Sequence, residues 1–419
     1  MREFVENPRV SCSLSGGMAV AGAIDRVVPI LHSGPGCGLQ ASIGTDIDYL
    51  GGGTGCPSTN TYEKDVVFGA EGRLRETIQG TLEIMDADLL VVLTGCTAGI
   101  IGDDVKRVVD EFSDAEIPII PVETAGFKGD TYFGYTATLL AIIRALAEKT
   151  ETEPRTVNLY GLVPSLDNTS FGDIEELDRI LGRIGVKVNS FFYRDDGIAQ
   201  IRASGNAALN INLSPWFGGN IDAYYKNTFG IPTLHYPGFP VGPTASSDFL
   251  RQVGRALDIE DEIVERAVYE EEAYVYRYFQ RAQRELYRYA IVGDVNTVLG
   301  LSRYLTNDVG QIARVAVITD NVPEGKKADI IGELSSLEYG DPPTIYFEDD
   351  KYEISQLIKQ HEPEINLILG SSYEKEVSGE LGIFFVTVSY PDTDHHILNK
   401  THVGYRGSLT IIEDMYNNL

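Results

Sequence analysis

"DLLVVLTGC", residues 88–96, is a run of apolar residues that stops at a glycine and a cysteine. Continuous rather than alternating hydrophobicity predicts a strand buried on both faces, as in a parallel sheet covered by helices. "RVVPILHSGPGCG" (26–38) has the same form: a buried strand running into a glycine loop that carries a cysteine. Between the two, "EGRLRETIQGTLEIM" (71–85) has the period of an amphipathic helix. "IGDDVKRVVDEF" (101–112) predicts another, with Asp103 and Asp104 in its favourable first turn. "IPIIPVET" (117–124) is the next strand. The rhythm restarts with "TVNLYGLV" (156–163), "IEELDRILGRIG" (174–185) and "VKVNSFF" (186–192). It restarts again at "AIVGDVNTVLGLSRYL" (290–305), followed by "ARVAVITD" (313–320), "EINLILGSS" (364–372) and "GIFFVTVSY" (382–390). The Glu- and Tyr-rich stretch 258–289 reads as a long helical connector with a solvated or subunit-facing side. The expected fold class is α/β, with three doubly wound, Rossmann-like domains and parallel sheets, at 1–155, 156–289 and 290–419.

Composition narrows the function. The chain has 419 residues, 43% hydrophobic and 23% charged, with a formal net charge of −28. Such an acidic surface argues against nucleic acid and against an anionic membrane as partners. No run of about 18 apolar residues occurs, so no membrane span is expected. "MREFVENPRVSC" lacks the apolar core of a signal peptide, which points to a cytoplasmic, reducing location. Four cysteines are too few for a disulfide scaffold in a chain this long. The phosphate loop GxxxxGK[ST], the dinucleotide loop GxGxxG and the nucleophile turn GxSxG are all absent, as are close CxxC or HxxxH pairs for zinc. The chain is therefore not expected to bind a nucleotide itself or to act as a hydrolase.

Three separated cysteines remain: Cys12, Cys37 and Cys96. Cys37 and Cys96 each follow a strand of the same block, and in open α/β sheets ligands gather beyond the carboxyl ends of strands. Cys12 precedes "SLSGGMAVAGAI", a tightly packing small-residue helix. Thiolates hold iron–sulfur clusters, and not every such site uses close spacing. Buried thiols acting as small hydrophobes are the other reading of the same pattern. Cys56, in "GGGTGCPSTN", is a fourth ligand or a plain buried thiol. His32 is a candidate neighbour of the cysteine loop. His395, His396 and Trp216 read as structural.

"SCSLSGGMAVAGAIDRVVPILHSGPGCG" (11–38), "PSTNTYEKDVVFGAEGRL" (57–74) and "DADLLVVLTGCTAGIIGDDV" (86–105) resemble the component 1 subunits of nitrogenase and nitrogenase-like reductases. "VETAGFKGDTYFGY" (122–135), "GNAALNINLSPWFG" (205–218), "FPVGPTASSDFL" (239–250) and "YPDTDHHILNKTHVGYRGSLTII" (390–412) resemble the β subunit, closest in look to the iron-only and vanadium enzymes. The resemblance implies that Cys12, Cys37 and Cys96 are ligands to a P-cluster-type (8Fe-7S) electron relay shared with an α subunit. It leaves Cys56 without a role. A serine that also ligates this cluster in the molybdenum enzyme is replaced here by Gly126. The implied partners are an α subunit, in an α2β2 assembly that can include small extra subunits, and a separate ATP-binding iron-protein reductase. The substrate is dinitrogen or, as in the related methylthio-alkane reductase, a C–S bond. A non-catalytic cluster-assembly scaffold is the alternative. The family's catalytic cofactor sits in the α subunit on a cysteine and a histidine. This chain has no cysteine after Cys96, so it is expected to hold its half of the relay and not that cofactor.

Overall fold

A computed structural model describes residues 7–44, 56–193, 196–280 and 285–417. Strands β1 (Val27–His32), β2 (Leu89–Thr94) and β3 (Ile119–Val122) form a parallel sheet in the order β1-β2-β3. β4 (Glu153–Tyr160), β5 (Lys187–Ser190), β6 (Ala207–Asn212) and β7 (Thr233–His235) form a second, in the order β5-β4-β6-β7. β8 (Arg288–Gly293), β9 (Ile312–Ile318), β10 (Thr344–Phe347), β11 (Leu367–Gly370) and β12 (Phe384–Thr387) form a third, in the order β10-β9-β8-β11-β12. Every pairing between these strands is parallel. The second and third sheets reverse their strand order, between β4 and β6 and between β8 and β11, as doubly wound sheets do. The first sheet does not reverse, and the loops after its strands lie side by side in chain order.

The continuous apolar strands are buried on both faces because successive side chains point to opposite sides. From β1 and β2, Val28, Ile30, Leu90 and Val92 face helices 71–84 and 105–110, where Leu74, Ile78, Val105 and Val108 cover them. Leu31, Leu89, Val91 and Leu93 face the other way, into the main core with helices 13–23 and 131–146. The third sheet divides likewise: Ala290, Val292, Val315 and Val317 pack on Ile354, Ile358 and Val377, while Ile291, Ala316 and Ile318 join the main core. That core runs without a break from Val10 to Met415. The last helix, Gly404–Asn417, returns to the middle of the chain. Tyr304 donates to Ser408 O at 2.7 Å, Tyr405 and Ser247 hydroxyls meet at 2.9 Å, and the amides of His402 and Val403 donate to Asp173. No described helix is long and apolar enough to cross a membrane.

Local differences from the sequence expectation have local causes. The helix expected over 101–112 is two helices, Cys96–Ile101 and Val105–Asp110. Gly102 closes the first at φ 76°, a left-handed conformation that glycine adopts without steric cost, and Asp104 caps the second by accepting from Arg107 N at 3.0 Å. The connector is a helix over Asp261–Phe279, and it is held by cross-element pairs such as Arg179–Glu271 and Arg251–Glu265 more than by pairs along its own face.

Candidate functional site

Backbone hydrogen bonds tie the carboxyl ends of the first sheet together, and the cysteines ride on those ties. Gly95 N donates to His32 O at 3.0 Å, joining the end of β2 to the end of β1. Thr124 Oγ1 donates to Thr94 O at 3.1 Å, joining β3 to β2. Cys96 opens helix 96–101 immediately after β2. Cys37 lies in helix Pro35–Gly44, immediately after β1, half-buried against the main core.

Cys12 reaches the same edge from elsewhere in the chain. Ser13 N donates to Gly129 O at 3.0 Å, and the Ser13 hydroxyl bonds the carbonyls of Thr124 and Ala125, both at 2.8 Å. Ser11 O accepts from Thr131 N at 3.0 Å. The segment 11–13 is thus clamped onto the loop after β3, and helix 13–23 lies along helix 131–146. Cys12 and Cys96 converge on Gly126. The Gly126 amide donates to Cys96 Sγ at 3.2 Å. A Cβ at Gly126 would stand 3.1 Å from Cys12 Cβ, 3.1 Å from Cys96 Sγ and 3.7 Å from Cys12 Sγ. Both thiols are exposed. The missing side chain leaves a cradle between two outward-facing sulfurs.

This donor set fits a polynuclear iron–sulfur group held at a surface. The thiols of Cys12 and Cys96 face out of the chain, and an amide donating to a ligand sulfur is one of the contacts that tune such clusters. Among the described residues, no three His, Cys, Asp or Glu side chains gather closely enough to hold a single metal ion. Cys56 is different in kind: burial pushes its thiol up to about 12, and its Sγ lies 3.5 Å from Pro29 O. A thiol held protonated is a poor metal ligand.

His32 is wholly buried. Its Nε2 donates to Asp103 at 3.0 Å, and Nδ1 lies 3.2 Å from the Thr59 hydroxyl. Burial lowers its pKa despite the opposing Asp103 carboxylate, so the ring is neutral. Its carbonyl anchors Gly95, one residue before Cys96, so it acts on the site through the backbone. Asp103, expected in the first turn of a helix, instead precedes helix 105–110 as the buried partner of His32 and also accepts from Ala70 N at 3.1 Å. The glycine just before it is the one signal that could have taken it off the helix. His395 is paired with Asp392 at 2.9 Å, and Trp216 donates to Asp320 at 3.0 Å, so both are structural contacts.

Large apolar side chains are exposed on the helices that carry Cys37 and Cys96, where Leu39 and Ile100 are 61% and 75% accessible, and on the turn at Gly126, where Phe127 is 60% accessible.

The family model for nitrogenase component 1 type oxidoreductases matches residues 12–419. The β chain of the vanadium-iron nitrogenase of Trichormus variabilis is 26% identical over 443 residues, covering 97% of this chain and 92% of that protein. The β chain of the molybdenum-iron nitrogenase of Methanococcus maripaludis is 24% identical over 460 residues, covering 100% and 95%. A solved structure of nitrogenase Cp1 at pH 6.5 superposes with a TM-score of 0.83 at 19% identity, covering 100% of this chain and 93% of that one.

Proposed function

The chain belongs to the nitrogenase component 1 type oxidoreductase family, and from that membership we propose that it is the β subunit of the catalytic component of a nitrogenase-like, ATP-dependent reductase. In this reading Cys12, Cys37 and Cys96 hold its half of an electron-relay iron–sulfur cluster of the P-cluster (8Fe-7S) type. The observation that carries it is the convergence of the exposed Cys12 and Cys96 thiols on Gly126 at the carboxyl edge of the first sheet. Outward-facing thiols suit a cluster shared with another subunit, and the exposed Leu39, Ile100 and Phe127 beside them suit the α subunit that would cover it. A bound cluster supplies one-electron transfer. The chain's own part is to fix three thiolates, donate the Gly126 amide to one of them and exclude water once the subunits meet. ATP belongs on the separate iron-protein reductase, because this chain has no phosphate loop. The substrate is dinitrogen or the C–S bond of a small methylthio-alkane, and the location is cytoplasmic.

The test is iron content and EPR of the αβ complex. Wild type is expected to show a relay cluster beside a second, larger cofactor. Cys37→Ala should lose the relay iron and weaken the αβ contact, while Cys56→Ala should retain both. A single labile cluster that passes to an acceptor protein would instead identify an assembly scaffold. Iron lost from Cys56→Ala but kept in Cys37→Ala would overturn the ligand set. Ammonia against methanethiol among the products distinguishes the substrates.

A further inference from the structure

From Asn7 to Ser11, just ahead of Cys12, the backbone belongs to no helix or strand. Asn7, Pro8, Ser11 and Cys12 are exposed there, while Arg9 and Val10 are 3% and 8% accessible. Val10 joins the main core. An arginine is almost never so deeply buried unless it is paired. What Arg9 pairs with therefore decides where this segment sits.

Its partners belong to the third sheet. The guanidinium donates to Ser371 Oγ and to the Glu374 carboxylate, both just beyond β11, and to Tyr390 O at 3.3 Å, beyond β12. It also lies 4.6 Å from the centre of the Tyr373 ring. The Arg9 and Glu374 side chains are each 2% accessible, so salt and water weaken the pair little. Glu374 is fixed from its own side as well: its second oxygen accepts from Ser371 N and Ser371 Oγ, each at 2.8 Å. Arg9 thus docks onto acceptors that segment 371–374 orders without it.

Cys12 follows within three residues, at most roughly 11 Å of chain. On either side of it the backbone is tied to the first domain. Ser11 N donates to Thr131 Oγ1 at 3.0 Å, and Ser13 N to Gly129 O at 3.0 Å. Cys12 therefore hangs between two clamps, one on the loop after β3 and one on the carboxyl edge of the third sheet. A metal ligand on irregular backbone takes its position from such surrounding contacts. We propose that Arg9 is a positioning residue for Cys12, and that its buried pair with Glu374 makes the seat of the Cys12 thiol depend on the third sheet. The proposal rests on the reading of Cys12 as a cluster ligand.

The test replaces the pair as a whole, because removing one charge alone would strand the other. The double variant Arg9→Met/Glu374→Gln is compared with wild type in the purified subunit complex. Hydrogen–deuterium exchange is read at the Ser11 and Ser13 amides. Both are expected to exchange about tenfold faster, the loss of one hydrogen bond to a charged group, while the amides of β8 and β9 keep their protection. Ser378→Ala is the control. It removes the bond from Ser378 Oγ to Ile383 O at 2.6 Å, in the same helix as Glu374, and leaves the Arg9 contacts in place. The second readout is the relay EPR signal, which should shift with its iron retained. Unchanged exchange at both amides, equal acceleration in Ser378→Ala, or faster exchange with a wild-type relay signal would overturn the proposal. Cys12→Ala shows where that last result lies: relay iron kept without Cys12 faults the ligand reading, and relay iron lost faults Arg9. If the double variant does not assemble, Ser371→Ala, which takes one partner from Arg9, is read at the same two amides. An acceleration of about threefold is then expected, and unchanged exchange overturns the proposal.

Discussion

Replacing Gly16 by alanine is expected to push apart the two helices that seat Cys12. Helix 13–23 crosses helix 131–146 through a pair of glycines. A Cβ at Gly16 would stand 1.9 Å from Thr131 O, and one at Gly134 would stand 1.8 Å from Ser13 O. Ordinary contact begins near 3.4 Å, so Gly16→Ala needs roughly 1.5 Å of separation between the helices. The obstructing atom is backbone, which cannot swing aside as a flexible side chain would. Overpacking a tight core costs about 1–3 kcal/mol, and a backbone clash lies at the upper end or beyond, so a loss of about 3 kcal/mol is expected. The better helix propensity of alanine offsets at most about 1 kcal/mol. The same displacement moves Ser13, whose hydroxyl holds the carbonyls of Thr124 and Ala125, and with it the neighbouring Cys12. Two measurements follow the two effects: urea unfolding for stability, and iron per αβ pair for the site. Gly36→Ala, in the helix that carries Cys37, meets nothing within 4 Å and is the control. It should leave stability unchanged or raise it by up to about 1 kcal/mol. A Gly16→Ala variant that unfolds at the wild-type urea midpoint with an unchanged slope, and that keeps its iron, would refute the reasoning.

Further outcomes are expected elsewhere. Burial raises the Asp308 carboxyl from 3.8 to about 6, so the folded chain binds a proton that the unfolded chain has released. Stability from this group should therefore fall as pH rises from about 4 to about 6, by about 3 kcal/mol in all, and Asp308→Asn should flatten that slope in urea midpoints taken across the range. If the exposed face beside Cys96 receives the reductase, Asp104→Lys and Asp110→Lys should slow electron delivery and change its salt dependence in stopped-flow traces. Unchanged kinetics in both would place docking elsewhere. Asp103→Asn should act differently, because Asp103 is buried on His32. It should lower stability by about 1–3 kcal/mol and leave the salt dependence alone.

The sequence by itself determined the parallel α/β character, through apolar runs such as 88–94 that only a doubly covered strand can bury. It also determined the family resemblance, and with it Cys12, Cys37 and Cys96 as the residues to place. It concealed β6, because "AALNIN" carries polar residues where hydropathy expects a core. Asn210 there closes a chain of buried amides with Asn158 and Asn189, at 2.8 and 3.0 Å, which only the pairing of β5, β4 and β6 creates. Local pattern likewise set Asp103 in the first turn of a helix, since nothing near it in the chain announces a buried histidine 71 positions earlier. The resemblance implied that Cys12 and Cys96 meet, but how they meet was decided by tertiary structure. It depends on two glycines, Gly16 and Gly134, letting two helices touch backbone to backbone, and on Ser13 clamping one of them to the end of β3. Periodicity reports which face of an element is buried. How closely two buried faces approach is set by atoms far apart in the chain, and that distance is what brings two thiols to one place.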